Sequence, residues 1–270
     1  MKYLFVPVNY NSYDSLEYYI QAICHALDTA NNNHILVDIC VADNTPEPQE
    51  ITKDKKEYGK VNIVVRHYDN PGYLSAALKS IYSVDINSYD YIIISNVDVL
   101  VDKSFFCCLE KLKLDKQTTW IAPSIYSESE KRDVNPKISE RYCKRRLQLL
   151  RMLFRFPHLW HFYTKTLYKR KSINTIVEKP QQDIYAGHGS FMIFTKDLFT
   201  KNVSMDYPVF LFCEEIFLAE MVRKIGMKTT YFPSIKVYDK EHASTSHMKL
   251  SRYCKYNFDA ITYILHRFYE

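Results

Sequence analysis

The chain has 270 residues, 47% of them hydrophobic and 25% charged, enough to bury a sizeable core as one large α/β domain. Its seven cysteines (24, 40, 107, 108, 143, 213, 254) are an odd set with no Cys-x-x-Cys spacing, which argues against a disulfide framework and a zinc site and suits reduced cytosolic thiols. No apolar run approaches the roughly 20 residues needed to span a bilayer, and the whole positive excess of the +5 net charge sits in residues 141–171, with ten basic side chains and no acid against 26 basic and 31 acidic elsewhere.

In chain order, Tyr3 to Val8 reads as a first core strand, without the apolar region and small-residue cleavage site of a signal peptide. Ser12 to Asp14 offers N-cap oxygens to a helix whose Leu16, Tyr19, Ile20, Ile23 and Leu27 recur at helical spacing. Strands are expected at Ile35–Ala42 and Val61–His67, then a turn at Asp69-Asn-Pro-Gly-Tyr73 opening a helix to about Val84. Tyr89 begins a β-branched strand that stops at Asn96-Val97-Asp98, followed by a helix near Lys103–Leu114 and a strand at Thr119–Ser124. This alternation predicts a mainly parallel sheet of βαβ units over about the first 125 residues. Past a basic insert, about 130–180, the pattern predicts a strand at Ile184–Phe194, a helix at Glu214–Ile225 closed by Gly226, two short strands at Thr229–Phe232 and Ile235–Tyr238, and a Tyr-rich C-terminal helix. No linker composition divides the chain, so one domain is expected, with a second half from about 181 to 270.

In an open α/β sheet, ligands bind beyond the carboxyl ends of the strands, where Asn96-Val97-Asp98 falls. Hard carboxylate oxygens there suit Mg²⁺ or Mn²⁺, which would in turn hold phosphate oxygens. The competing reading of this stretch is a strand followed by Asp102 as a helix cap. Only five glycines occur, so those present are expected where a side chain would obstruct: Gly72 before a helix, and Gly187 and Gly189 around His188.

Four landmarks stand in order: Val41-Ala-Asp43-Asn44-Thr45, Asp69-Asn-Pro-Gly-Tyr73, Asn96-Val-Asp98 and Phe212-Cys-Glu-Glu-Ile216, joined by Tyr185-Ala-Gly-His-Gly-Ser-Phe-Met-Ile193 and Glu241-His242. This order, over about Val6 to Ser246, resembles the family 2 glycosyltransferases of GT-A fold, especially their rhamnosyltransferase-like bacterial branch. The resemblance implies a Rossmann-like, mainly parallel sheet flanked by helices, carrying a basic helical insert and a C-terminal helix. It implies a nucleotide-diphosphate sugar donor, dTDP- or UDP-linked, bound by Pro7, Val8, Tyr10, Asp43, Asn70, Gly72, Asn96 and Asp98. The metal falls to Asp98, with His242 as a second ligand, although Asn96 replaces the first acid of the family's Asp-x-Asp. Glu215 would be the catalytic base, with Glu214 beside it, and Gly187, His188 and Gly189 would face the acceptor. The residues themselves leave plainer readings open: an Asx-turn for Asp43, dipole-favoured first-turn acids for the two glutamates, a turn histidine at 188 and a surface histidine at 242.

The expected activity is inverting transfer of a sugar to a glycan or polyprenyl-linked acceptor in bacterial surface polysaccharide synthesis. The alternative is a non-catalytic protein of the same fold that binds a nucleotide sugar or glycan. A sugar nucleotidyltransferase would need a Gly-rich phosphate loop after the first strand, which Val8-Asn-Tyr-Asn-Ser12 is not. The basic stretch interleaves cations with Leu, Phe and Trp, the pattern of an interfacial helix on an anionic bilayer. A helical excursion over the acceptor cleft is the second reading, and no nucleic-acid module accompanies the charge. The expected location is cytoplasmic, peripheral on the inner face of the cell membrane.

Overall fold

The computed structural model describes residues 1–49, 61–166, 179–201, 204–240 and 248–269. The first half alternates as the pattern predicts: β1 (Lys2–Asn9), α1 (Tyr13–Ala30), β2 (Leu36–Asp43), β3 (Val61–His67), α2 (Tyr73–Ile81) and β4 (Tyr91–Asn96). There follow β5 (Val99–Val101), α3 (Phe105–Glu110), β6 (Thr118–Ser127), β7 (Arg132–Asp133), α4 (Lys144–Arg155) and α5 (Pro157–Thr166). The remaining elements are β8 (Gln182–Ile184), β9 (Phe191–Thr195), α6 (Asp197–Thr200), α7 (Glu214–Lys224), β10 (Lys228–Asp239) and α8 (Leu250–Phe268).

All the strands belong to one mixed sheet whose main path runs β3-β2-β1-β4-β9-β6-β10-β5. Strands β3, β2, β1, β4, β6 and β10 point one way, and β9 and β5 run against them. Both faces are covered, which is why the central strands read as near-continuous apolar runs. In β1, Tyr3 and Phe5 pack against α1 and α3, where Phe106 meets both edge-on and Phe105 lies tilted against Phe5, and Leu4 and Val6 face the layer of α2 and α7.

Four local expectations change. Ile184–Phe194 is not one strand: the chain leaves the sheet over 185–190, β8 pairs with β10, and β9 inserts between β4 and β6. The two short strands near the end are one, β10, with a register shift between Phe232 and Lys236 around Pro233, which lacks the amide a regular ladder needs. Helix α3 is shorter than expected, ending at Glu110 with Lys111 as its C-cap, and 111–114 form no strand. The Ser12 side chain does not cap α1; its hydroxyl donates to the Tyr10 carbonyl (3.0 Å), and its amide donates to Asn9 Oδ1 (3.2 Å). The close of α7 is as expected: Gly226 (φ 71°) donates to the Arg223 carbonyl and Met227 to that of Val222, a Schellman motif.

Between 144 and 166 the basic insert is a pair of helices broken at Pro157, which takes the first position of α5. It is tied down at its start. Arg141 Nε donates to the buried Glu220 of α7 (2.6 Å), which also accepts from Tyr185 (2.6 Å), and the Arg141 guanidinium lies 3.9 Å from the ring centroid of Tyr269.

Candidate active site

A cavity of about 480 Å³ opens at the carboxyl ends of β1 and β4, where the sheet reverses strand order. Of the residues expected to hold a donor, Val8, Tyr10, Asn70, Asn96 and Asp98 line it. Asn70 adopts a left-handed conformation (φ 44°), which Asn tolerates better than other side chains, and Gly72 has φ 101°. A Cβ on Gly72 would fall 2.3 Å from the Phe210 carbonyl oxygen, so only glycine lets the 69–73 turn close against the 210 loop that forms the opposite wall.

Pro7 and Asp43 lie behind the wall rather than in it. Pro7 is a buried strand residue paired with Ser95. Asp43 is 0% exposed: its Oδ1 accepts from Asn9 Nδ2 (3.1 Å) and the Thr45 amide (3.1 Å), and its Oδ2 accepts from the Tyr13 hydroxyl (2.7 Å) and lies 3.1 Å from His67 Nδ1. These partners occupy most of the acceptor positions of the carboxylate, so Asp43 braces the wall from behind. The Thr45 bond is the Asx-turn that the sequence alone allowed. The neighbouring Asn44 does line the cavity, and its Oδ1 is buried with no hydrogen-bond partner among the described residues.

Asp98 also lines an adjoining hollow of about 370 Å³ with Asp14 and Lys240, and its carbonyl accepts from the Lys240 amide (3.1 Å). Among the described residues no three His, Cys, Asp or Glu side chains gather as a metal cluster. One carboxylate beside the Asn96 amide is a donor set for a hard cation that keeps several waters and shares a ligand's phosphate oxygens, and to that extent the residues fit Mg²⁺ or Mn²⁺. His242 lies outside the described residues. Asp102 is not the cap of α3, whose N-cap is Ser104; it makes an Asx-turn just before the helix, its Oδ1 accepting from the Ser104 amide (2.8 Å) and hydroxyl (2.6 Å).

The second set of expected residues stands next to this cavity. Phe212 (φ 76°) and Cys213 (φ 61°) both lie in the left-handed region immediately before α7, a strained approach of the kind found at functional sites. It delivers Glu214 and Glu215 to the start of the helix. Glu214 is buried and accepts from the Phe212 amide (2.8 Å); burial first, then the charge of Glu215, pushes its carboxyl up to about 8. Glu215 is only half-buried and reaches Gly189, with Oε2 3.7 Å from where a Cβ on that glycine would sit.

Gly187 has no such room, because a Cβ there would meet Ala122 Cβ at 2.9 Å. His188 is held from both sides. Its amide donates to the Oδ1 of the buried Asn135 (2.8 Å), and its Nδ1 accepts from the Ser190 amide (3.2 Å), leaving the proton on Nε2. Burial, followed by the charges of Lys137 and Arg132, pulls its pKa down to about 3, so it is a neutral imidazole. Tyr73 joins the two sets: it lines the cavity, and its hydroxyl donates to the Gly189 carbonyl (3.0 Å). Its phenol is raised well above the ordinary range by burial and by the nearby charges, Glu214, Asp98 and Glu215 among them.

No protein-family model and no curated protein matches this chain. Solved structures do. The structure of GalNAc-T7 with UDP, GalNAc and Mn²⁺ superposes with a TM-score of 0.59 at 10% identity, over 100% of this chain and 49% of that one. The structure of S. aureus TarS superposes with a TM-score of 0.53 at 10% identity, over 99% of this chain and 44% of that one. The chain has the GT-A fold. It spans about half the length of these structures, and at this identity the likeness is one of fold and selects no branch.

Within the GT-A frame, the cavity has residues that motif reading missed. Asn44 was hidden by its acidic neighbour. Phe210 and Tyr256, with ring centroids 5.1 Å apart, close one side, and Arg252 brings a guanidinium from the first turn of α8. A Tyr-rich helix beginning Lys249-Leu-Ser-Arg252 carried only one usable signal, a cation at a helix start where a partner for an anion can stand.

Proposed function

We propose that the chain is an inverting, metal-dependent glycosyltransferase that moves a sugar from a nucleotide-diphosphate donor to a glycan or polyprenyl-linked acceptor in surface polysaccharide synthesis. The observation that carries this reading is the junction at Tyr73: a cavity holding Asp98 and Arg252 on one side, and Gly189 with Glu215 on the other. The cavity is of a size for a small-molecule ligand, and its mix of aromatic and polar walls suits a nucleoside diphosphate. Asn96-Val97-Asp98 supports placement in family 2, near the rhamnosyltransferase-like branch, and a dTDP- or UDP-linked sugar as donor.

In this mechanism Val8, Tyr10, Asn44 and Asn70 hold the nucleoside, with Asp43 fixing the wall from behind. Asp98 and Asn96 would hold Mg²⁺ or Mn²⁺, which when bound neutralises charge on the diphosphate. Arg252 adds positive charge at the same place. Glu215 takes the proton of the acceptor hydroxyl as its oxygen attacks the anomeric carbon, and the bond from that carbon to the diphosphate oxygen breaks on the opposite face. Glu215 suits this better than Glu214, whose raised pKa keeps it protonated at neutral pH and whose carboxyl is engaged with the Phe212 amide. His188, neutral and fixed, presents an Nε2–H donor on the acceptor side. The chain acts as one domain, at the cytoplasmic face of the membrane.

Thermal unfolding of the purified chain against UDP, dTDP, GDP and CDP, with and without Mn²⁺ or Mg²⁺, tests the donor site. A ligand at 100 times its dissociation constant adds about 2.7 kcal/mol, so a metal-dependent shift with one nucleotide is expected. Absence of any shift in a folded sample would sink the nucleotide site. A shift without release of nucleoside diphosphate on incubation with the sugar donor would favour the non-catalytic binding protein.

A further inference from the structure

Helix α4 is apolar on two opposite sides. Leu147 and Phe154, one heptad apart, are buried, and Phe154 stacks on Trp160 of α5 (4.1 Å between ring centroids) and reaches Tyr253 of α8 (6.0 Å). On the opposite side, by helical spacing, Leu149, Met152 and Phe156 form a second stripe. These three are each about half exposed, Met152 at 51%. The stripe is extended by Leu159 and by Phe162, which is 67% exposed, on the outer side of α5. A solvated helix ordinarily buries its one apolar stripe and leaves the other side polar, and a run of exposed large apolar side chains this long marks a contact surface.

The flanks of the stripe carry charge of one sign. Lys144, Arg145, Arg155 and Lys165 are all exposed, and no acid occurs between 141 and 171. Apolar residues at the middle of a helix face with cations around them match an anionic bilayer interface, where the acyl boundary takes the first and the headgroups the second. A protein partner would need acidic complementarity to every one of these cations, and a second copy would bring the same like-charged surface.

We propose that α4 and α5 form a docking hairpin for an anionic lipid surface, with Leu149, Met152, Phe156, Leu159 and Phe162 entering the interface. This goes beyond the transfer reading and is independent of it, because no substrate is needed for attachment. The two are joined in space through α8: Tyr253 touches Trp160 (6.2 Å) and Phe212 (5.1 Å), and Arg252 and Tyr256 line the cavity.

The test is co-sedimentation of the full chain with vesicles of phosphatidylcholine alone or with roughly 30 mol% phosphatidylglycerol, in low and high salt. Binding to the anionic vesicles is expected to be at least about tenfold tighter than to the neutral ones and to weaken with salt. The double change Phe156→Glu and Phe162→Glu should remove it while leaving the thermal unfolding midpoint and any nucleotide-induced shift as in the unaltered chain. Failure of the folded chain to bind anionic vesicles would overturn the proposal, as would undiminished binding by the double variant. A dimer in solution that the double variant dissolves would assign the stripe to a second copy instead. Loss of vesicle binding with an intact nucleotide shift, or the reverse, separates the hairpin from the donor site.

Discussion

The carboxyl ends of β1, β2 and β4 and the α4–α5 hairpin are built on opposite terms. At the strand ends, polar groups are sunk into the fold: Asp43 is held by several partners at 0% exposure, Asn44 keeps one buried oxygen aimed at the cavity, and Gly72 admits the Phe210 carbonyl where no other residue could stand. At the hairpin, apolar groups face outward and only Leu147 and Phe154 among the side chains of α4 and α5 are fully inside. The difference teaches where each region gets its definition. The first is fixed before any ligand arrives, and the second is left to be completed by a surface outside the chain.

The contrast can be sharpened by substitution. The largest effects are expected where the proposed chemistry sits: Asp98→Ala and Glu215→Gln should each lower transfer by roughly 10²–10⁴-fold with an unaltered unfolding curve, measured as nucleoside diphosphate released with acceptor present. Near-normal turnover in either variant would remove that residue from the mechanism. Next, Gly72→Ala should cost about 3 kcal/mol of stability, because it combines a left-handed φ with a backbone clash; denaturant unfolding measures it.

Glu214 gives a test by pH. Its folded pKa is raised from 4.5 to about 8, so the folded state holds a proton the unfolded state has released, and stability falls as pH rises between those values. Glu214→Gln keeps an acceptor for the Phe212 amide and removes that slope, so its unfolding midpoint should gain on the unaltered chain as pH approaches 8. A retained slope would assign it to another group. Arg252→Ala should weaken nucleoside diphosphate binding about tenfold by calorimetry and leave nucleoside binding unchanged, about 1.4 kcal/mol from one lost charged contact. The smallest effect belongs to the hairpin: Leu149→Ala or Met152→Ala should move stability by no more than about 0.5 kcal/mol, since both side chains already face solvent.

Much of this was legible in the sequence because it depends on local pattern. The parallel half follows from β-branched runs alternating with helical periodicity, Val61–His67 to the residue, and Gly72 was marked by scarcity of glycine and by Pro71 before it. What could not be read comes from chain segments that meet only in the folded sheet. The withdrawal of Asp43 depends on Tyr13 and His67, which approach it from different elements. Asn44 and Arg252 share a cavity because α8 returns across the ends of the early strands. The break in 184–194 escaped pattern reading because Tyr185 and Ala186 are as apolar as the strand residues beyond them, whereas their backbone is held by Ile138 and that of His188 by Asn135, both distant in sequence.

The hydrogen bond from Tyr73 to the Gly189 carbonyl has a thermodynamic corollary. Tyr73 belongs to the wall that a donor would touch, and Gly189 to the backbone beside Glu215. Under the proposed function, a ligand that displaced the phenol would release that carbonyl, and occupancy of either compartment would carry a free-energy message to the other. Linkage requires the message to be equal in both directions: whatever factor a donor applies to acceptor affinity, the acceptor returns to the donor. Tyr73→Phe, which cuts this one bond, is expected to weaken that coupling, measured as the change in donor affinity on adding acceptor.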